Sequence, residues 1–441
     1  MINNIDPPLR TSNATPTRGL NGIEPPPSRI LNGIPPPPVR TVGINDKLPA
    51  ARKRKTSDDD SDDSSDEHDP RTTLKTADAS RAPIDELPDA TNCSRRPPIS
   101  SSSFFRASVP ALAGSTVAVA GHLAIVSHHH HLRIYDLSKG VHSGLTEIDL
   151  RSIGVDFKKE ARVTAMEFRT DDGLSADPGR FLWCGTREGH LFEFDTANLV
   201  VTRLRLLAHM NPVVRIIRYG LSMVTLDEAG KALIWRHYTD LAPGQQPRVA
   251  RTTEKQGFIH MFGGLLWTSG GIGSGIGGTS TSRGPILRIY DIMASNCSAK
   301  MVSPSDPLGA VTSGAILTSQ PGTVYLGHVG GFISVWRMEG TESFDSGRKV
   351  PVCVQTLKVA SSDIMSLEGV GERLWAGSRG GVIAAYEVGG VEESGAKPWR
   401  VTNAWRAHGE LPILRIFVDP FSIAKVGYLG GSVCCFELIL L

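Results

Sequence analysis

From about residue 111 the chain repeats one pattern of apolar and polar positions seven times. Each copy is a short apolar run, a glycine-containing turn, then alternating apolar residues that end on an aromatic. The copies are VAVAGHLAIVSHHHHLRIYD (ending at Tyr135), FLWCGTREGHLFEFD (Phe194), MVTLDEAGKALIW (Trp235) and LLWTSGG…GPILRIYD (Tyr290). TVYLGHVGGFISVW (Trp336), RLWAGSRGGVIAAY (Tyr386) and KVGYLGGSVCCF (Phe436) complete the set. The closing aromatics are 59, 41, 55, 46, 50 and 50 residues apart. Alternation with a period of two marks strands, and glycine supplies the turn in GTREGH, LDEAGK and GSRGG, so each copy reads as an antiparallel hairpin. The stretches between hairpins supply two more strands each, for example over Val201 to His209 and Pro212 to Gly220. Nothing between the hairpins sustains a 3.6-residue period, and proline recurs in the connections at Pro212 and Pro412.

Four strands per unit of roughly 45 residues is the arithmetic of a β-propeller. Residues 111–441, 331 in all, divide into seven units of about 47. The expected fold is therefore all-β, a seven-bladed propeller whose sheets bury both faces against their neighbours and whose closure removes exposed edges. The hairpins resemble WD repeats, with the Trp-Asp pair reduced to Tyr135-Asp136, Phe194-Asp195 and Tyr290-Asp291. Ala208-His209 and Ala407-His408 stand where that family has Gly-His. The resemblance implies that His209 and His408 are structural, hydrogen-bonded within their blades, as Trp235 and Trp336 are structural at the ends of theirs.

Composition divides the chain. No Phe, Trp or Tyr precedes Phe104, and 17 of the 29 prolines lie in residues 1–110. Such a segment cannot bury enough apolar surface to offset its chain entropy, so residues 1–110 are expected to be a disordered arm. Within it Ile5 to Arg10, Leu20 to Arg29 and Leu31 to Arg40 form a degenerate proline repeat that ends in arginine, a candidate for proline-recognising domains or else a stiff linker. Arg52-Lys53-Arg54-Lys55 precede an acidic run from Asp58 to Asp69, in which eight of twelve residues are Asp or Glu. The basic cluster fits a nuclear import signal, the serines Ser57, Ser61, Ser64 and Ser65 fit an acid-directed kinase, and the whole fits a solvated polyampholyte.

Charge and cysteine narrow the classes. Lys+Arg minus Asp+Glu is 47 − 45 = +2; residues 1–110 hold 15 of each sign, so the rest carries 32 − 30 = +2, with no excess for a general nucleic-acid coat. The six cysteines (Cys93, Cys184, Cys297, Cys353, Cys434, Cys435) have no CxxC spacing, which fits a reducing compartment and argues against a zinc site or a disulfide scaffold. The start, MINNIDPPLR, lacks the apolar core of a signal peptide, and no apolar run reaches the roughly 18–20 residues of a membrane span. A soluble cytoplasmic protein is expected, with the nucleus as the alternative through Arg52 to Lys55.

The candidate chemistry is sparse. Gly273-Ser274-Gly275-Ile276-Gly277-Gly278 matches GxGxxG, but a dinucleotide site needs that loop between a strand and a helix, and here it lies inside a hairpin. An insertion between two strands of the fourth blade is the expectation. The run His128 to His131 invites a metal, yet neighbours along a strand point to opposite faces, so a polar turn is expected and no metal site. No nucleophile-elbow pattern occurs. Arg187, Glu188, Asp227, Glu228, His328 and Arg379 fall in hairpin turns that share one face of the expected fold, and form a candidate interaction rim.

A narrower resemblance rests on several strings in order. They are Leu87-Pro88-Asp89-Ala90…Arg95-Arg96-Pro97-Pro98, RFLWCGTREGHLFEFD (from Arg180), MVTLDEAGKALIW, GVGERLWAGSRGGVIAAYEV (from Gly369) and WRVTNAWRAHGELPILRIFVDPFSI (from Trp399). Together they resemble the N-terminal propeller of fungal inositol polyphosphate 5-phosphatases, over most of residues 87–425. That resemblance implies a regulatory or targeting region belonging with inositol-phosphate or phosphoinositide 5-dephosphorylation. The family's phosphatase domain follows its propeller, and its motifs (Trp-Asn-x-Asn-Gly, Gly-Asp-x-Asn-Tyr-Arg, Pro-x-Trp-x-Asp-Arg) are not found in this sequence. After Val426 the sequence departs from the family pattern, reading GYLGGSVCCFELILL, so a truncated or mis-spliced end and an incomplete seventh blade are expected. The resulting expectation is a non-catalytic interaction module without cofactor, with proteins as partners, a generic WD scaffold as the first alternative and a hydrolase as the second.

Overall fold

A computed structural model describes residues 87–98, 105–110, 115–139, 143–152, 162–169, 179–242, 244–252, 256–270, 286–304, 306–389, 399–409, 411–418, 425–430 and 433–438, with backbone alone for 105–110, 238–239, 256, 425–430 and 433–438. The proline repeat, the basic cluster, the acidic run and the GxGxxG string all lie outside the described residues. One strand, β1 (Phe105–Pro110), precedes the first hairpin. The first sheet then runs β2 (Val117–Ala120), β3 (Leu123–His128), β4 (His131–Asp136), β5 (Leu145–Asp149). The second is β6 (Val163–Phe168), β7 (Phe181–Thr186), β8 (Leu191–Asp195), β9 (Val200–Arg205), and the third is β10 (Val213–Tyr219), β11 (Ser222–Asp227), β12 (Lys231–Trp235), β13 (Arg248–Arg251). The fourth is β14 (Gln256–Phe262), β15 (Leu265–Gly270), β16 (Leu287–Tyr290), β17 (Ala299–Val302). The fifth is β18 (Val311–Leu317), β19 (Gln320–His328), β20 (Phe332–Arg337), β21 (Val352–Lys358), and the sixth is β22 (Ile364–Val370), β23 (Arg373–Ser378), β24 (Val382–Glu387), β25 (Arg400–Arg406). The last sheet takes β26 (Ile413–Val418), β27 (Lys425–Gly430) and β28 (Val433–Leu438) and is completed by β1. Among the described residues the single helical piece is a 3-10 turn at Tyr238–Leu241, and no helix is long and apolar enough to cross a membrane.

The repeated hairpins are the second and third strands of successive sheets. Their closing aromatics Tyr135, Phe194, Trp235, Tyr290, Trp336 and Tyr386 are all buried. Tryptophans pack edge to face, Trp183 on Trp235, Trp267 on Trp336 and Trp375 on Trp405, with ring centroids 5.9, 5.8 and 5.1 Å apart, the arrangement the ring quadrupole favours. Small residues beside these rings let sheets approach. A Cβ on Gly185 would stand 2.5 Å from Val213 Cγ1, and one on Gly377 2.5 Å from Ile413 Cγ2, so the first residue of the next sheet sits in the space a side chain would fill.

First strands meet in sequence: β2 on β6, β6 on β10, β10 on β14, β14 on β18, β18 on β22, β22 on β26, and β26 on β2. In six of them the pairing register shifts by one residue near the start, between Val163/Ala165, Val213/Arg215, Gln256/Phe258, Val311/Ser313, Ile364/Ser366 and Ile413/Arg415. A bulge re-aims the residues after it and increases the local twist. Hydroxyls at three of these starts reach the next sheet: Thr164 donates to Val213 O (2.6 Å), Thr312 to Ile364 O (2.5 Å) and Ser366 to Ile413 O (2.9 Å).

Two expectations are corrected. The arm does not extend to residue 110: β1 pairs with β28 from Phe105↔Leu438 to Pro110↔Val433, and residues 87–98 lie along the outer edge of β25. There Val401 N donates to Asp89 O (2.8 Å), Ser94 N to Thr402 O (2.9 Å) and Ala404 N to Ser94 O (2.8 Å). Low aromatic content misled here, because both pieces are held by backbone pairing to strands far along the chain. The last sheet, expected to lack strands, has four, since β27 and β28 pair from Lys425↔Leu438 to Gly430↔Val433.

Candidate functional site

The six expected rim residues separate into surface and interior. Arg187 and Arg379 are exposed, and Glu188 and Glu228 half-buried, in the turns that follow β7, β23 and β11. Arg379 Nε holds Asp363 Oδ2 at 2.8 Å, and Asp363 Oδ1 accepts from Gly330 N at 2.8 Å, so one carboxylate ties the turns of the fifth and sixth sheets. Asp227 and His328 do not belong to the rim. They end β11 and β19, are 1% and 0% exposed, and point into the structure. The physical reason is that the connection to the next sheet crosses the turn after each of these two strands: Thr252 N donates to Gly230 O at 2.8 Å and Val359 N to Gly331 O at 2.9 Å.

Asp227 belongs to a buried chain. Its Oδ2 lies 3.3 Å from His209 Nδ1; His209 Nε2 lies 2.9 Å from Thr225 Oγ1, which also accepts from Trp235 Nε1 at 3.0 Å. Burial outweighs the attraction of Asp227 and holds the His209 imidazole down at about 4, so it is neutral. In the fifth sheet His328 Nε2 meets Ser334 Oγ at 2.7 Å and Trp336 Nε1 donates to the same oxygen at 2.8 Å, with burial again lowering the imidazole to about 4. In the second sheet a carboxylate takes that place: Glu193, wholly buried, accepts from Trp183 Nε1 (3.1 Å) and Thr202 Oγ1 (2.7 Å) and pairs with Arg203 and Arg169. His408 is 8% exposed, its backbone N donating to Gly381 O at 3.2 Å.

Beside the turn of Arg187 the surface is apolar. Leu206, Leu207 and Met210 are 57%, 61% and 78% exposed in the connection between β9 and β10. Leu207 sits at φ +48°, uncommon for a side chain of its kind, and its N–H donates to His190 Nδ1 at 2.9 Å. An exposed arginine beside three large exposed apolar side chains makes a surface that can desolvate on a partner.

A second region lies between the first strands. A cavity of about 300 Å³ is lined by Arg215 (β10), His260 (β14), Thr312 and Ser313 (β18), Glu368 (β22) and Arg415 (β26). It adjoins another of about 270 Å³, which adds Glu167 (β6) and Arg218. The like charge of Arg415, ahead of burial, pulls Arg215 down to about 9. Burial lifts Glu368 to about 7 against the pull of Arg415 and Arg215, raises Glu167, and lowers His260 to about 3. Sequence reading missed this group. Its one signal was a repeat: Pro212-Val213-Val214-Arg215-Ile216 returns as Pro412-Ile413-Leu414-Arg415-Ile416, an arginine at the same place in two apolar first strands.

Glu368 makes a pH test. A carboxyl whose folded value exceeds its ordinary 4.5 holds more protons folded than unfolded, so its contribution to stability is full below 4.5 and is lost as pH rises through about 7. Glu368→Gln removes that slope. In thermal unfolding the variant should gain on the parent steadily from pH 5 to pH 8; an unchanged difference across that range rules out the assignment.

No protein-family model matches the chain. A curated relative from Schizosaccharomyces pombe, named as a probable inositol polyphosphate 5-phosphatase, is 26% identical over 382 residues, which is 82% of this chain and 28% of the relative. The chain thus spans little more than a quarter of the relative it matches. A chain in a crystal structure of the mitotic checkpoint complex aligns with TM-score 0.53 and 12% identity, over 84% of this chain and 99% of that one, a likeness of fold alone.

Proposed function

We propose that this chain is a closed seven-bladed β-propeller that works, without catalysing a reaction itself, as an interaction and regulatory platform for an inositol polyphosphate 5-phosphatase. The observation that carries the reading is the lopsided match: most of this chain corresponds to a minor part of a protein named for that activity. The cyclic meeting of first strands, with β26 against β2 and β1 completing the last sheet, supports the closed ring. The hydrogen bonds of His209 to Thr225 and of His328 to Ser334, the latter within the fifth sheet, support a structural use of these histidines. In this reading the contact surface is the turn face around Arg187, Leu206, Leu207 and Met210, and the proline repeat of residues 5–40 recruits proline-recognising domains.

Two measurements test it. The purified chain, given soluble inositol polyphosphates or 5-phosphorylated lipid, should release no phosphate; turnover by the chain alone overturns the reading. Tagged chain recovered from cells of its source should carry 5-phosphatase activity with it, and Leu207→Asp combined with Met210→Asp should cut that activity at least about tenfold, as loss of central apolar anchors does. Recovery of no such activity leaves the generic scaffold in its place.

A further inference from the structure

The first sheet carries chemistry that none of this uses. His128 and His131 are the last paired residues of the β3–β4 hairpin, so His129 and His130 form a two-residue turn. Such turns ordinarily place glycine or asparagine where φ is positive, yet His129 is at φ +53°. His130 O accepts from Leu150 N at 2.9 Å, which ties the hairpin tip to the end of β5. His131 lies directly opposite Asp149 in the β4–β5 pairing.

The expectation of a plain polar turn rested on neighbours pointing apart, as they do along a strand. That argument fails at His130 because it sits in the turn: the His130 and His131 rings lie 4.1 Å apart at a tilt of 43°. The fold then adds Asp149, 18 residues on in sequence. One ligand atom from each of His130, His131 and Asp149 falls within 4.8 Å of the others, with all three residues half-buried. Bonds of about 2.0–2.2 Å to a shared ion need donors somewhat closer than that, a change within reach of side-chain rotation. Among the described residues, buried His131 Nδ1 has no hydrogen-bond partner, and Glu147 Oε1 lies 3.6 Å from it. Asp149 Oδ1 accepts from Arg151 N at 2.9 Å, an outer contact that fixes the carboxylate.

We propose that His130, His131 and Asp149 form a binding site for one divalent transition-metal ion of the zinc class. Two imidazoles and a carboxylate suit zinc, nickel or copper rather than magnesium or calcium. Three protein ligands at a half-exposed position leave the remaining coordination to water. The bound ion joins the β3–β4 tip to β5, the outermost strand of its sheet.

The test is calorimetric titration of the full chain with zinc chloride at pH 7.5. One equivalent should bind, and Asp149→Asn, which keeps an acceptor for Arg151 N, should weaken binding at least about tenfold. His129→Ala should leave binding unchanged. A simple run of histidines behaves in the opposite way, indifferent to Asp149 and weakened by loss of His129. That outcome, two or more ions bound, or none, overturns the proposal. Circular dichroism of each variant without metal checks folding, and Co(II) absorption, altered by Asp149→Asn but not by His129→Ala, reads the carboxylate directly.

Discussion

His209→Ala is expected to destabilise the protein by about 3 kcal/mol or more, a drop of roughly 6–10 °C in thermal unfolding. The substitution leaves the Asp227 carboxylate, 1% exposed, without its imidazole, and strips Thr225 of one of its two partners. It also opens a void at a position with no solvent exposure. Asp227 keeps its bond from Lys231 N at 2.8 Å, which limits the loss below complete unfolding. The same residue gives an acid signature. A base whose folded value, about 4, lies under its ordinary 6.5 stays neutral in the fold while the unfolded chain takes up protons. Its contribution is therefore present above 6.5 and is lost as pH falls through about 4, on the order of 3 kcal/mol in full. His328 adds a second contribution over the same window. Denaturant unfolding at pH 7.5 and pH 4.5 reads both effects. The parent should lose stability between the two, and His209→Ala should lose visibly less. Equal losses would mean that His209 is already charged in the fold.

The contrast between what the sequence disclosed and what it hid has a physical basis. Alternation and glycine turns located the hairpins because a two-strand unit is a local event, and the closing aromatics followed from it. His209 was read as structural through its likeness to WD repeats, and the structure buries it against Asp227 and Thr225. Asp227 and His328 were misplaced because a position beside a glycine turn does not reveal whether the side chain leaves the surface. Here Thr186, Asp227, His328 and Ser378 end the second strands of four sheets, and all are 8% exposed or less. Recognising them required knowing which connection crosses over each strand end. The cluster of Arg215, Glu368 and Arg415 was hidden for a related reason: single charges in apolar first strands look like defects until several strands converge. Asp149 became a partner of His131 only through cross-strand register, which no local pattern carries.

The same distance effect decides how the last sheet is held, and it sets the last expected result. Three chains starting at residues 87, 99 and 111 should differ sharply in stability. The first keeps the strap on β25 and the strand β1. The second loses the strap: the backbone bonds of Ser94 and Asp89 and the one from Asn403 Nδ2 to Arg96 O (2.9 Å), all on the outer edge of one sheet, a modest cost. The third also loses β1, and with it six residue pairs to β28. The outermost position of the last sheet then stands empty, and β28 presents a bare row of N–H and C=O groups to other chains. We expect the chain from 111 to melt at least roughly 10 °C below the chain from 87, given several kcal/mol lost at about 2–4 °C each. It should also associate in a concentration-dependent way, visible in sedimentation. Association is expected because β28, stripped of β1, becomes a new outer strand whose backbone groups have lost their pairing. If the chains from 99 and 111 melt together and remain monomeric, β1 does not close the structure, and the cyclic arrangement of first strands must be held by side-chain packing between β26 and β2 alone.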